Sequence, residues 1–167
     1  GSVAIGYDAL RVKAGTGGSQ YATSSTAVGF QAGASETTGG LNTFIGFRSG
    51  DALTIGIGNT VIGTSAFTSA GVGESWNIAI GQGSLGGADE GTNGNIDHNI
   101  AIGLDAFYGA DINTSSTDQI GNIAIGNYVL DAVSNNAQTG TIGIGHQALT
   151  ALTSGAGNTA IGYQAGP

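Results

Sequence analysis

No cysteine occurs among the 167 residues of this chain, so neither disulfides nor thiolate metal sites can stabilise it. Positive charge is nearly as scarce, with three Lys and Arg against eleven Asp and Glu and a formal net charge of −8. Without a basic stripe to neutralise phosphates, nucleic acid and anionic membrane are poor partners. No apolar run reaches the roughly 18 residues of a membrane helix, so membrane insertion is not expected. Proline appears once, and the 33 glycines lack a Gly-X-Y period, which removes a collagen triple helix. Disorder is disfavoured too, because charge is sparse and Ile and Val are plentiful. The Gly-Ser start reads as a cloning remnant in place of a signal peptide, and the chain as a fragment of a longer protein.

What the chain does have is a repeat. A run of about nine residues returns nine times: SVAIGYDAL from Ser2, STAVGFQAG from Ser25, NTFIGFRSG from Asn42, NTVIGTSAF from Asn59, NIAIGQGSL from Asn77, NIAIGLDAF from Asn99, NIAIGNYVL from Asn122, TIGIGHQAL from Thr141 and NTAIGYQAG from Asn158. The invariant glycines are Gly6, Gly29, Gly46, Gly63, Gly81, Gly103, Gly126, Gly145 and Gly162, spaced by 17 to 23 residues. Such self-similarity marks stacked equivalent units in one repeat domain over residues 1–167, not a globule around a cleft.

Ile or Val always precedes the glycine, a second branched residue stands two positions earlier, and Ala usually separates them, as in Ile78-Ala79-Ile80. That alternation has the period of a strand. Every copy carries it in the same direction, so the chain is expected to coil, stacking equivalent strands in parallel at about 4.8 Å per coil. Nine such coils would make a rod roughly 40 Å long. The branched face is expected to line the coil interior, leaving a smooth Ala/Gly face for three chains to bury against one another. Asn opens six copies, at Asn42, Asn59, Asn77, Asn99, Asn122 and Asn158. These amides either hydrogen-bond along the rod as a ladder or serve as turn residues, and the two readings are compatible.

The words NTAIGYQAG, NIAIG and SVAIG resemble the head repeats of trimeric autotransporter adhesins and the related repeats of bacteriophage tail-fibre proteins. The resemblance covers nearly the whole chain in nine patches, with a small residue recurring three after the glycine and Val129 departing from it. It implies an all-β fold, a left-handed parallel β-roll of about nine coils, assembled as a homotrimer. It also implies an extracellular place, on a virion tail fibre or a bacterial surface, and attachment to a host cell-surface glycan or protein. The longer spacers resemble the tail-fibre versions more than the adhesin heads.

Four connectors, Arg11 to Ser24, Gly86 to His98, Tyr108 to Gly121 and Asp131 to Gly140, are expected to leave the rod as loops, where recognition residues accumulate. Tyr21, Tyr108, Tyr128 and Trp76 are candidate contact aromatics, or else caps on the coil core. Asp89, Glu90 and Asp97, and Asp111 with Asp118, form acidic loops that read as solvated, with Asp89, Glu90 and Asp111 also loop-borne candidates for ligand contact. The calcium nonapeptide is broken at Gly86-Gly87-Ala88-Asp89, so no metal is expected. His98 and His146 lack a nucleophile motif, and Gly56-Ile57-Gly58 lacks the helix and lysine of a phosphate loop. The reading is a non-enzymatic structural and adhesive rod without cofactors. Its rivals are a glycan-degrading enzyme, which needs paired carboxylates in a groove, and an ice-binding solenoid, which needs a regular outward threonine array.

Overall fold

The computed structural model describes residues 1–12, 24–69, 73–87, 95–109, 118–132 and 137–166. The chain is an all-β parallel solenoid of about seven turns, with no helix among the described residues. Each repeat word supplies one short strand: β1 (Val3–Ile5), β2 (Thr26–Val28), β3 (Thr43–Ile45), β4 (Thr60–Ile62) and β5 (Ile78–Ile80). The later words supply β7 (Ile100–Ile102), β9 (Ile123–Ile125), β11 (Ile142–Ile144) and β12 (Thr159–Ile161), and between them lie β6 (Ile96–Asp97), β8 (Gln119–Ile120) and β10 (Gln138–Thr139). The nine repeat strands form one sheet in the order β1-β2-β3-β4-β5-β7-β9-β11-β12. Every pairing is parallel and in register on the motif, so that Ile5 lies beside Val28, and Ile80 beside Ile102.

A coil has three sides. The first is the repeat strand. The second is the five residues after the invariant glycine, hydrogen-bonded from coil to coil through contacts such as Gln31 N–H to Tyr7 O at 2.8 Å and Tyr128 N–H to Leu104 O at 2.9 Å. The third side was not expected. It precedes the Asn position, and in three coils it forms a second parallel sheet, β10-β8-β6. Parts of three connectors read as loops thus return to the rod as strands. Two-residue strands are too short to show a period in sequence.

The structure reverses the expected orientation of the first side. Ala27, Ala79, Ala101 and Ala124 are buried, and the branched residues on either side of them face outward and are half-buried. At the rod ends the outward residues are open, with Ile5 at 60% and Ile161 at 68% exposure. The reason is parity. The Asn position and the central alanine are two residues apart, so they share a face of the strand. The Asn amides are buried, and their alanines go in with them.

An interior lined by alanine is thin, and it is filled from the second side by a large residue four positions after the glycine. Ala79 is matched by Leu85, Ala101 by Phe107 and Ala124 by Leu130, all fully buried. Where the strand centre is instead Phe44, the corresponding residue is Gly50, and a side chain at Gly50 would strike the Phe44 ring. The same ring reaches back to Gly33, where a Cβ would meet it at 2.6 Å. The departure at Val129 is balanced in the same way, since the next strand centre is Gly143 and a Cβ there would meet Val129 at 2.6 Å. At these two strand centres large and small exchange places, as close-packed interiors require.

The exchange is testable. Phe44→Ala should cost about 3–5 kcal/mol in denaturant unfolding. Adding Gly50→Leu recreates the Ala79/Leu85 layer and should restore a substantial part of that loss; a double variant no more stable than the single one contradicts volume exchange.

Candidate functional site

A continuous line of buried amides runs through the corner between the third and first sides. Asn59 donates its backbone N–H and its Nδ2 to Asn42 Oδ1, at 2.8 and 3.1 Å. Asn77 does the same to Asn59, Asn99 to Asn77, and Asn122 to Asn99. The second Nδ2 hydrogen of each goes to a third-side carbonyl: Gly56 from Asn42, Glu74 from Asn59, Ile96 from Asn77, Gln119 from Asn99 and Gln138 from Asn122. From Asn59 to Asn99 each amide therefore makes all four hydrogen bonds available to it. Ser25, with Glu36, occupies the same line before Asn42, through Ser25 Oγ to Glu36 Oε1 at 2.8 Å and Asn42 Nδ2 to Glu36 Oε1 at 2.7 Å. Thr141 follows Asn122 and continues the line by donating its backbone N–H to Asn122 Oδ1 at 3.0 Å. Asn158 is near the open end, and its amide nitrogen donates locally, to Gly155 O at 3.2 Å.

The invariant glycines turn the chain between the first and second sides. Their φ lies between +129° and +140°, a region that is essentially glycine's alone. A side chain on any of the first eight would strike the carbonyl of the glycine in the next coil. Backbone contact therefore requires glycine here twice over.

The candidate ligand residues are dispersed. Trp76 sits one residue before Asn77, exposed, with its indole over Gly58 of the preceding coil. Tyr108 is exposed on another corner, its ring over Gly86, where a Cβ would meet it at 2.9 Å. Tyr128 is half-buried and meets His146 edge-on at 6.0 Å, and His146 stacks on Tyr163 at 5.6 Å. Tyr21, Asp89, Glu90 and Asp111 lie outside the described residues. Asp97 and Asp118 act as third-side rungs: Asp97 Oδ1 accepts Ser75 N–H at 2.7 Å, and Asp118 Oδ1 accepts from Asn95 at 3.0 Å. Among the described residues no three His, Asp or Glu side chains gather as a metal centre would require.

Sequence reading missed one exposed aromatic column. Tyr7, Phe30 and Phe47, each just after an invariant glycine, stack at 5.4 and 5.3 Å with nearly parallel rings. The in-register repeat itself was the signal for it. All three remain exposed, Tyr7 the most.

Comparison of the chain with known protein families, curated proteins and solved structures finds no match.

Two measurements follow from this geometry. Asn77→Ala strands buried groups on Asn59, Asn99 and Ile96, each worth about 1–3 kcal/mol. It should lower unfolding stability far more than Asn158→Ala, and equal losses would deny the line its structural role. Asp131 titrates in the opposite sense from a paired carboxylate. Burial raises its pKa above the ordinary 3.8, Asp105 adds to the rise, and a backbone hydrogen bond opposes it. The folded state binds this proton more tightly, so the group's stabilisation is present at low pH and is lost as pH climbs through the raised value. Asp131→Asn should raise the melting temperature at neutral pH, with the gain shrinking in acid.

Proposed function

We propose that this chain is a non-enzymatic structural and adhesive rod, a homotrimeric segment of a bacteriophage tail fibre that attaches to a host cell surface. The head domain of a bacterial trimeric autotransporter adhesin is the alternative, since both share the SVAIG and NIAIG words. The carrying observation is the outward face of the nine-stranded sheet, with two branched side chains per strand from Val3 and Ile5 to Thr159 and Ile161. Parallel sheets are normally covered on both faces. At about 40 Å by about 10 Å, this face reaches the size of the largest apolar patches that monomers expose.

In this reading, sister chains cover the branched face, whereas the alanine face that sequence reasoning assigned to the trimer is already inside each coil. The coils wind left-handed, one per copy, as the resemblance implies. The described Asp97 and Asp118 carboxylates hold backbone and Asn95 in place, which favours scaffold over glycan hydrolysis. Thr26, Thr43 and Thr60 form an outward rank in register, but Ile78, Ile100, Ile123 and Ile142 continue it, which speaks against ice binding.

Light scattering should give three times the chain mass, and Ile80→Lys with Ile125→Lys should give a folded monomer or an unfolded chain. A wild-type monomer in solution defeats the homotrimer. Labelled chain failing to bind any cell in a bacterial panel defeats the adhesive half.

A further inference from the structure

We infer that Trp76 is the platform of a sugar-binding subsite for a neutral pyranose, an inference that rests on the adhesive reading and gives it a place on the rod. The corner just before the Asn line is held in the left-handed backbone region in successive coils. Leu41, Gly58, Trp76, His98, Gly121, Gly140 and Gly157 have φ between +59° and +74°. Four of the seven are glycine, which meets this turn without strain, whereas an L-residue there costs roughly 1–2 kcal/mol. Tryptophan with φ of +61° is therefore not what the corner asks for.

The ring has a floor. A Cβ at Gly58 would meet the six-membered part of the indole at 2.5 Å, so the ring lies where a side chain at position 58 would project. One indole face rests on backbone, and the residue remains 53% exposed. Trp76 N–H donates to Ile57 O at 2.9 Å, which anchors the platform to the preceding coil. In the aromatic column at Tyr7, Phe30 and Phe47 the middle ring, Phe30, is stacked on both faces.

Two polar residues of the following coil are tied to Ser75, beside Trp76 in the chain: Asp97 accepts its N–H and His98 N–H donates to its carbonyl at 3.1 Å. Asp97 is fixed by its bond from Ser75 N–H, and the next corner residue, His98, is exposed. Beyond His98, a side chain added at Gly121 or Gly140 would meet nothing within 4 Å, so the strip is low and open. A pyranose has a flat face of C–H bonds and a rim of hydroxyls. The C–H face suits the indole, and the rim suits the Asp97 carboxylate and the His98 imidazole. The net charge of −8, with Asp97 at the site, disfavours acidic sugars.

Trp76 is the chain's only tryptophan, so its emission reports on this position alone. The full chain is to be screened on an array of neutral and acidic bacterial polysaccharides, and each polysaccharide retained is then titrated by fluorescence. Neutral polysaccharides should bind and shift the emission to the blue. Trp76→Gly, the residue the corner prefers, should keep or raise the melting temperature and weaken binding at least about tenfold, a loss of about 1.4 kcal/mol. Trp76→Tyr should fall between. Sugar binding with unchanged emission, retained by Trp76→Gly, overturns the subsite while leaving the adhesive rod standing. Binding restricted to acidic polysaccharides overturns the assignment to neutral sugars. If neither the array nor whole cells retain the chain, both the subsite and the adhesive reading fall.

Discussion

Coil-to-coil hydrogen bonding of buried asparagines is the constraint on which the rest depends. Each amide binds the amide before it and a carbonyl on the third side, so one residue ties together the register of the stack and the closure of the coil. Because the central residue of each repeat strand shares the parity of that amide, burying the Asn line also decides which strand face is inside. Register, closure and sidedness are thus three consequences of one interaction.

The narrowness of the coil follows. Backbone meets backbone at the invariant glycines, and the strand centre and the position four after the glycine share the space between them. Phe44 against Gly33 and Gly50, and Val129 against Gly143, show a large residue met by glycine within its own coil or in the adjacent one. A thin rod has little interior of its own, which leaves much apolar surface on the outside. The branched residues of the sheet are that surface, and a trimer built on them would supply the cover that a single coil lacks.

Function on such a rod is separated from folding by position. The Asn line, the glycines and the interior recur in coil after coil, while the corners and connectors vary. Trp76 illustrates the separation: its backbone obeys the corner's left-handed geometry, yet its side chain answers to nothing inside the coil. The acidic residues divide similarly, with Asp97 and Asp118 holding third-side rungs and Asp131 carrying a burial penalty.

Much of the fold was legible because the repeat is explicit. The alternation in Ile78-Ala79-Ile80 announces a strand, its identical direction in every copy announces parallel stacking, and the invariant Gly81 marks the turn. The buried face was legible in principle as well, since Asn77 and Ala79 lie two residues apart. Hydrophobicity argued for the opposite face, and only the tertiary structure showed that satisfying the amides prevails. The second sheet was hidden because Ile96-Asp97 and Gln119-Ile120 are too short to carry a period. The setting of Trp76 was hidden for a different reason: its support is Gly58, 18 residues earlier in the chain. The sequence by itself determined the repeating unit, the strand direction and the glycine turns, because these are local and recur. Tertiary structure decided which face is buried, how unequal side chains share a layer and which aromatics lie flat, because those depend on contacts between coils.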